Sequence, residues 1–147
     1  MALKTDAVGK TWDPVTFEVE ADRITQYAEA IGAESPVHRD AGAARDAGFR
    51  DVVAPPMFAV VYSSPAMGPA LFDPDVEMNF AAMVHGGQEF VWGEPVCAGD
   101  VISTQVTCTS IDERDGKGFY VFDSVSTNQD GREVVRAKWT NIVRGVG

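Results

Sequence analysis

The chain has 147 residues, of which 45% are hydrophobic and 23% are charged, and this composition is typical of one soluble globular domain. Its formal net charge is −10 without any basic cluster, which argues against nucleic-acid binding because that requires a basic surface. No apolar run approaches the roughly 20 residues that a membrane-spanning helix requires, so we expect no membrane span.

The first third of the chain predicts a strand followed by an amphipathic helix. Residues 1–6 lack the apolar core of a signal peptide, so a cytoplasmic location is expected. Residues 11–18 predict the first strand. An apolar stripe with the i, i+3, i+4, i+7 spacing of a helix follows it, formed by Ile24, Tyr27, Ala28 and Ile31. Gly32 suits the end of this helix.

A loop and a second, shorter helix are expected next. Residues 33–39 predict the loop, and residues 40–47 predict the helix, with Asp40 as a candidate N-cap. Gly48 follows as its terminator.

Pro55 and Pro56 are suited to beginning a third helix, because an early helical position needs no N–H group. The packed face of this helix is predicted to consist of Met57, Val60, Val61 and Ser64. Pro65 and Pro69 predict that the helix is kinked or ends early.

The last third of the chain changes to β-strand composition, rich in Val, Thr, Phe, Tyr, Ile and Trp. The predicted strands are residues 88–92, 101–111, 118–127 and 133–143. Asp115-Gly116 and Asp130-Gly131 separate the last three strands as tight-turn dipeptides. Helices first and strands afterwards predict the α+β class, with an antiparallel sheet that has one covered face.

Two cysteines, Cys97 and Cys108, lie in separate strand-like segments without metal-ligand spacing. In a cytoplasmic protein they are expected to be reduced and at least half-buried. We therefore expect no metal site and no cofactor.

The most specific pattern in the chain is a set of four short segments. Residues 35–40 read Ser-Pro-Val-His-Arg-Asp and residues 53–57 read Val-Ala-Pro-Pro-Met. Residues 85–90 read His-Gly-Gly-Gln-Glu-Phe and residues 98–100 read Ala-Gly-Asp. Together they resemble the MaoC-like hydratase/dehydratase family, the last two segments its N-terminal type of domain. The resemblance spans about residues 10–143, and the subgroup it resembles is the non-catalytic partner subunit of actinobacterial (R)-3-hydroxyacyl-thioester dehydratases.

This resemblance implies both a fold and a chemistry. The fold is a single α+β hot-dog domain over residues 1–147, in which a curved antiparallel sheet wraps around a central helix. The implied assembly is a homodimer, or a heterodimer with a catalytic MaoC-like subunit. The implied chemistry is reversible addition of water to a trans-2-enoyl thioester of coenzyme A or an acyl carrier protein. It needs a base, an acid, and N–H donors that stabilise charge on the thioester oxygen.

The first catalytic motif of the family is only partly present. Active members resemble Gly-Asp-x-Asn-Pro-x-His, in which the Asp and the His form the acid/base pair. Gly32, Pro36 and His38 match this motif, whereas Ala33 replaces the Asp and Ser35 replaces the Asn. Loss of an acid/base carboxylate costs about 10²–10⁴-fold in rate.

The second motif has also changed, from Ala-His-Gly-Met to Ala54-Pro55-Pro56-Met57. In the family the Gly offers its backbone N–H to the oxyanion. Proline has no N–H, so that donor is absent, and loss of one such donor costs roughly 2.7–4 kcal/mol in catalysis. Efficient independent catalysis by this half-site is therefore not expected.

His38 is the strongest candidate for a catalytic group because its motif matches on both sides, the alternative being a loop histidine without a role. Glu34 is a weaker candidate, since it is one position out of register and points to the other side of an extended loop. Met57, Val60 and Val61 are candidates for an acyl-binding wall, although ordinary core packing also explains them.

Two other polar residues are interpreted as structural. His85 lies at the edge of a predicted strand, and Asp100 follows Gly99 in a turn before the next strand.

The leading hypothesis is a subunit of an (R)-specific enoyl hydratase/3-hydroxyacyl dehydratase that binds the acyl chain while a partner supplies the Asp/His pair. A self-sufficient homodimeric hydro-lyase that uses His38 is the second. A protein that binds acyl thioesters without chemistry, and a hot-dog thioesterase, are further alternatives. The prolines at the helix start disfavour the thioesterase, which needs a carboxylate there.

Overall fold

The computed structural model describes residues 3–146, so the expectations for residues 1–6 and 1–147 extend beyond the described residues. Its helices are α1 (Ala21–Ala30), α2 (Ala41–Asp46), α3 (Ala59–Ser63) and α4 (Met67–Leu71). Its strands are β1 (Val15–Glu18), β2 (Met83–Trp92), β3 (Val101–Arg114), β4 (Lys117–Thr127) and β5 (Glu133–Arg144). Short 3₁₀ turns occur at Pro36–His38, Pro56–Phe58, Ser64–Ala66 and Phe80–Ala82.

The five strands form one antiparallel sheet in the order β1-β3-β4-β5-β2. The predicted turn between β3 and β4 is confirmed, because Asp115 and Gly116 both have positive φ angles, 52° and 74°. The predicted turn between β4 and β5 lies within a longer loop, in which Asn128 N donates to Arg132 O at 2.9 Å. Strands β3, β4 and β5 thus follow the sequence prediction closely.

Strand β2 begins at Met83, five residues before the predicted start at residue 88. Residues 83–87 lie outside the predicted strand, but they pair with β5 through a bulge between His85 and Gly87. A Cβ at Gly86 would lie 2.4 Å from Ile142 Cδ1, so the glycine lets the two strands pair closely at the bulge.

Two boundaries near the N-terminus also differ from the prediction. Strand β1 covers Val15–Glu18 and not all of residues 11–18, since Thr11 forms only an isolated bridge with Thr107. Ile31, predicted on the buried stripe of α1, is 52% exposed. It caps α1 after the last helical residue, and Gly32 with φ of 73° then turns the chain away.

Helix α2 follows its prediction. The side chain of Asp40 accepts a hydrogen bond from Gly42 N at 3.0 Å, which is the predicted N-cap. Gly48 has a φ of 98° just after the helix, as a terminating glycine requires.

Residues 56–71 form the central segment, in which α3 and α4 alternate with two of the 3₁₀ turns. The prediction of a kinked or shortened helix is confirmed, because the first 3₁₀ turn begins at Pro56 and the second contains Pro65.

The packed face of the central segment is not the predicted one. Its buried side chains are those of Phe58, Ala59, Tyr62, Ser63, Ala66, Met67 and Ala70. Of the predicted set, Met57 is 46% exposed, Ser64 is exposed, and Val60 and Val61 are half-buried. Apolar residues occupy both sets of positions, so helical spacing fits both faces and cannot decide between them.

Two clusters of buried side chains join the central segment to one face of the sheet. The first combines Ala66, Met67 and Ala70 with sheet residues that include Val106, Phe122 and Trp139. The second combines Phe58, Ala59 and Tyr62 with Ile102, Val134 and Val135. The sheet therefore covers the central segment on one face, which confirms the predicted α+β architecture.

Within residues 3–146, no helix is long and apolar enough to cross a membrane. The same residues contain no group of three or more His, Cys, Asp or Glu side chains that could hold a metal ion. Cys97 and Cys108 are both free and buried.

Candidate functional site

A cavity of about 300 Å³ opens beside the start of the central segment, and we call it the His38 cavity. Its volume lies at the lower end of the range of small-molecule sites. Apolar side chains form most of its wall, among them Val37, Phe49, Val53, Pro55, Trp92 and Pro95. The polar side chains that reach it are those of His38, Tyr62 and Glu94. The two segments that contain the catalytic motifs, residues 35–40 and 53–57, thus both contribute to one site.

The chain around His38 is fixed by backbone hydrogen bonds on both sides. Val53 N donates to Val37 O at 3.0 Å, which joins the 3₁₀ turn Pro36–His38 to the strand-like residues before the central segment. Thr25 Oγ1 in α1 donates to His38 O at 3.1 Å. His38 is therefore a half-buried residue whose backbone neighbourhood is held from two directions.

The histidine ring makes one hydrogen bond that determines which nitrogen is available. His38 Nδ1 lies 2.7 Å from Val53 O. A carbonyl oxygen can only accept, so Nδ1 carries the proton and donates it. In the neutral ring Nε2 then has the free lone pair, and it is the atom that can accept a proton or bind a polar group of a ligand.

The proline pair is positioned by a short stretch of extended chain. Val53 forms an isolated bridge with Cys97, and Ala54 N donates to Val96 O at 2.8 Å. This pairing brings Pro55 and Pro56 to the cavity wall, where neither has an N–H to donate. The positions that carry His-Gly in active family members therefore line the same cavity as His38.

Tyr62 of α3 is a site residue that the sequence reasoning missed. It is 3% exposed, it lines the cavity, and its phenol makes no hydrogen bond within residues 3–146. Burial raises the pKa of Tyr62 above its ordinary value of 10. The predicted helix face was two positions out of phase with the buried one, and a correct phase would have placed Tyr62 on the inner side.

Another part of the wall comes from the end of β2 and the connection that follows it. Trp92 stacks on Phe90 with ring centroids 4.9 Å apart and is itself 48% exposed. Gly93 N donates to Val134 O at 3.0 Å, which fixes the turn into Glu94. Of the described lining residues only Glu94 bears a carboxylate, and Arg132 lies 3.4 Å from it.

Asp100 is buried and holds the loop that contributes Phe49 to the cavity. Its carboxylate pairs with Arg50 at 2.9 Å and accepts from Cys97 N at 2.9 Å and from Gln129 Nε2 at 3.0 Å. Burial alone would raise the pKa of Asp100, but these hydrogen bonds, the one from Arg50 first, lower it below 3.8. This arrangement fits the structural interpretation made from the sequence.

The other predicted site residues lie outside the described wall of this cavity. Glu34 is exposed, one residue from Ala33, whose carbonyl oxygen accepts a hydrogen bond from Arg39 at 2.8 Å. Met57 is exposed, Val60 is half-buried, and Val61 packs against the second cluster of buried side chains. Their roles in catalysis and acyl binding stay predictions. His85 lies in β2, edge-on to the Trp139 ring at 6.1 Å, and does not reach the cavity.

Comparison with known proteins identifies relatives over nearly the whole chain. A family model described as the FAS1-like dehydratase domain region matches residues 6–137. A UPF0336 protein of Saccharopolyspora erythraea is 38% identical over 146 residues, which cover 99% of this chain and 94% of that protein.

Solved structures are similar in sequence as well as in fold. A chain of the C-terminally truncated HadBC (3R-hydroxyacyl-ACP dehydratase) complex from Mycobacterium tuberculosis matches with a TM-score of 0.82 and 31% identity. The match covers 95% of this chain and 99% of that chain. A MaoC-like dehydratase from Rhodospirillum rubrum matches with a TM-score of 0.71 and 25% identity, over 95% and 93% of the two chains. The hot-dog fold predicted from the sequence is thereby confirmed.

Proposed function

Since the chain belongs to the MaoC-like hydratase/dehydratase family, we propose that it is a subunit of an (R)-specific enoyl-thioester hydratase/3-hydroxyacyl-thioester dehydratase. In this role the His38 cavity holds the acyl part of a coenzyme A or acyl-carrier-protein thioester in fatty-acyl metabolism. A MaoC-like partner subunit supplies the catalytic Asp/His pair and the oxyanion donor.

One observation carries this proposal: an apolar cavity is present beside His38, while the carboxylate and the N–H donor of the motif are absent. His38 is firmly positioned at an apolar wall that suits an acyl chain. The neighbouring motif positions are Ala33, which cannot exchange a proton, and Pro56, which cannot donate a hydrogen bond. A site that has the cavity and the histidine but lacks the carboxylate and the N–H donor supports binding here and proton transfer by another subunit.

In the proposed reaction, the partner's base removes a proton from water and the oxygen forms a bond to C3 of the enoyl group. The C2–C3 double bond becomes a single bond, the charge passes to the thioester oxygen, and C2 then takes up a proton. The present chain orients the acyl group for attack at C3. His38 Nε2 is available to hold the attacking water or the 3-hydroxyl group.

Exposed apolar side chains on two surfaces support the presence of a partner subunit. Strand β2 lies at one edge of the sheet, and Val84, Val91 and Trp92 on it are exposed. Met57 on the outer side of the central segment is exposed as well. We assign both surfaces to contact with the partner, which would also bring Met57, Val60 and Val61 towards the shared acyl channel. The similar HadBC structure is itself a complex.

A self-sufficient homodimer is the second candidate, and one observation favours it. The Nδ1 hydrogen bond of His38 leaves Nε2 with the lone pair that a general base requires. On this alternative, His38 activates water without a carboxylate, and Glu34 assists from the neighbouring loop.

Reconstitution separates the two candidates. The purified chain is assayed for hydration of crotonyl-CoA alone and mixed with MaoC-like subunits that carry the intact Gly-Asp-x-Asn-Pro-x-His motif. We expect a mixture that co-elutes in gel filtration and turns over faster than the sum of its separate components. Equal turnover by the chain alone and by every mixture would contradict the partner-dependent function and favour the homodimer.

A further inference from the structure

We propose that the phenol O–H of Tyr62 donates a hydrogen bond to the carbonyl oxygen of the thioester bound in the His38 cavity. This inference rests on the proposed function and adds to it a residue that recognises the thioester group itself. Tyr62 would act beside the donor of the partner subunit, since an oxyanion site commonly holds more than one donor.

The position of Tyr62 on the helix supports this assignment. Tyr62 lies six residues after Pro56, which corresponds to about 9 Å along a helix axis. Long side chains on helices point back towards the N-terminus, so the phenol extends from α3 towards the start of the central segment. That start is where active family members offer the glycine N–H, and where Pro56 offers none.

The bonding state of the phenol supports it as well. Tyr62 is 3% exposed and packs against Phe58 with ring centroids 6.2 Å apart, so its ring is fixed. Its hydroxyl makes no hydrogen bond within residues 3–146 and is not one of the fully enclosed polar atoms, so it is open to an acceptor from outside the protein. Because Tyr62 lines the His38 cavity, an oxygen atom of a bound ligand can accept a hydrogen bond from its hydroxyl.

The protonation state fits a donor and not a base. Burial raises the pKa of Tyr62, so the phenol keeps its proton at neutral pH and above. The other polar groups at the cavity are less suited to a carbonyl oxygen. Glu94 as a carboxylate can only accept, and His38 Nδ1 already donates to Val53 O.

The test compares two ligands that differ only at the thioester oxygen. Butyryl-CoA carries the carbonyl and does not undergo hydration, whereas S-butyl-CoA is a thioether with a methylene in its place. Dissociation constants for both are measured by calorimetry with the wild-type chain, with Tyr62→Phe and with Tyr27→Phe. Tyr27 is a matched control because it also meets the Phe58 ring, at 5.4 Å, but does not line the cavity.

We expect Tyr62→Phe to weaken butyryl-CoA binding by about tenfold and to leave S-butyl-CoA binding unchanged. Tyr27→Phe should leave both unchanged. Equal effects of Tyr62→Phe on the two ligands, or no effect on either, would overturn the role of Tyr62 while the proposed function stands. Failure of the wild-type chain to bind either ligand, alone and in its partner complex, would overturn both.

Discussion

The hydrogen bond from His38 Nδ1 to Val53 O defines what this site can do at the scale of single residues. It leaves Nε2 free to accept a proton, as a base requires. The carboxylate that should cooperate with it is replaced by Ala33, and Arg39 donates to the Ala33 carbonyl oxygen at 2.8 Å. The position at which active family members have the catalytic Asp is therefore fixed here by a hydrogen bond to the backbone of Ala33.

Asp100 provides a stability prediction at the same scale. We expect Asp100→Asn to lower the free energy of unfolding by about 1–3 kcal/mol, because buried hydrogen bonds to Arg50 and to Cys97 N are weakened. Urea unfolding at pH 7 measures this change. Glu133→Gln is a matched control, since Glu133 pairs with Arg136 at the surface and its loss should have little effect.

The pH dependence of this contribution follows from the lowered pKa of Asp100. The pKa of Asp100 is lower in the folded state than in the unfolded state. Its ionised form therefore stabilises the fold fully at pH values above the unfolded-state pKa, and this contribution is lost as the pH falls through the folded-state pKa. Wild-type stability should therefore decline below about pH 4 more steeply than that of Asp100→Asn. Parallel pH profiles of the two proteins would contradict this role of Asp100.

Sequence reasoning located His38 at the site because motif residues flank it closely in the chain. It could not locate Tyr62, because an aromatic residue in an apolar helix carries no polar signal and the phase of that helix was undetermined. Trp92 and Glu94 were missed for another reason. They reach the cavity through sheet pairing with residues some forty positions later, which no local pattern specifies.

At the scale of elements, the turn between β2 and β3 forms one wall of the site. Only a residue without a Cβ fits at Gly93, where this turn passes close to the backbone of β5. A Cβ at Gly93 would lie 2.2 Å from Glu133 O, a backbone atom that cannot rotate away. We expect Gly93→Ala to lower the free energy of unfolding by roughly 1–3 kcal/mol and to weaken butyryl-CoA binding. Both are measurable, by urea unfolding and by calorimetry.

Gly42→Ala in α2 serves as the control for this change. Its Cβ would meet Asp40 Oδ1 at an ordinary 3.4 Å, so the substitution should be neutral or slightly stabilising. Equal stability of Gly93→Ala and Gly42→Ala would show that the turn relaxes and would contradict the rigid wall described here.

Most elements could be predicted because local signals agree with the fold. Asp40 caps α2, and Asp115-Gly116 forms the β3–β4 turn, as their chemistry indicates. The start of β2 could not be predicted, because Gly86-Gly87 looks like a loop and becomes a bulge only when paired with β5.

At the scale of the whole molecule, net charge bears on the choice of partner. Two copies of a chain with a net charge of −10 repel each other more than one copy and a less acidic subunit do. The exposed edge strand β2 can pair with either. We therefore favour a heterodimer in which this chain binds the acyl group and its partner performs the chemistry.

The most direct measurement is steady-state hydration of crotonyl-CoA by the purified, size-characterised chain alone. It is run beside His38→Ala and beside a triple variant with Ala33→Asp, Pro55→His and Pro56→Gly. We expect no turnover by the wild-type chain above the His38→Ala background, and a gain in the triple variant as the carboxylate and the N–H donor return. Wild-type turnover that disappears in His38→Ala, with no gain in the triple variant, would contradict it.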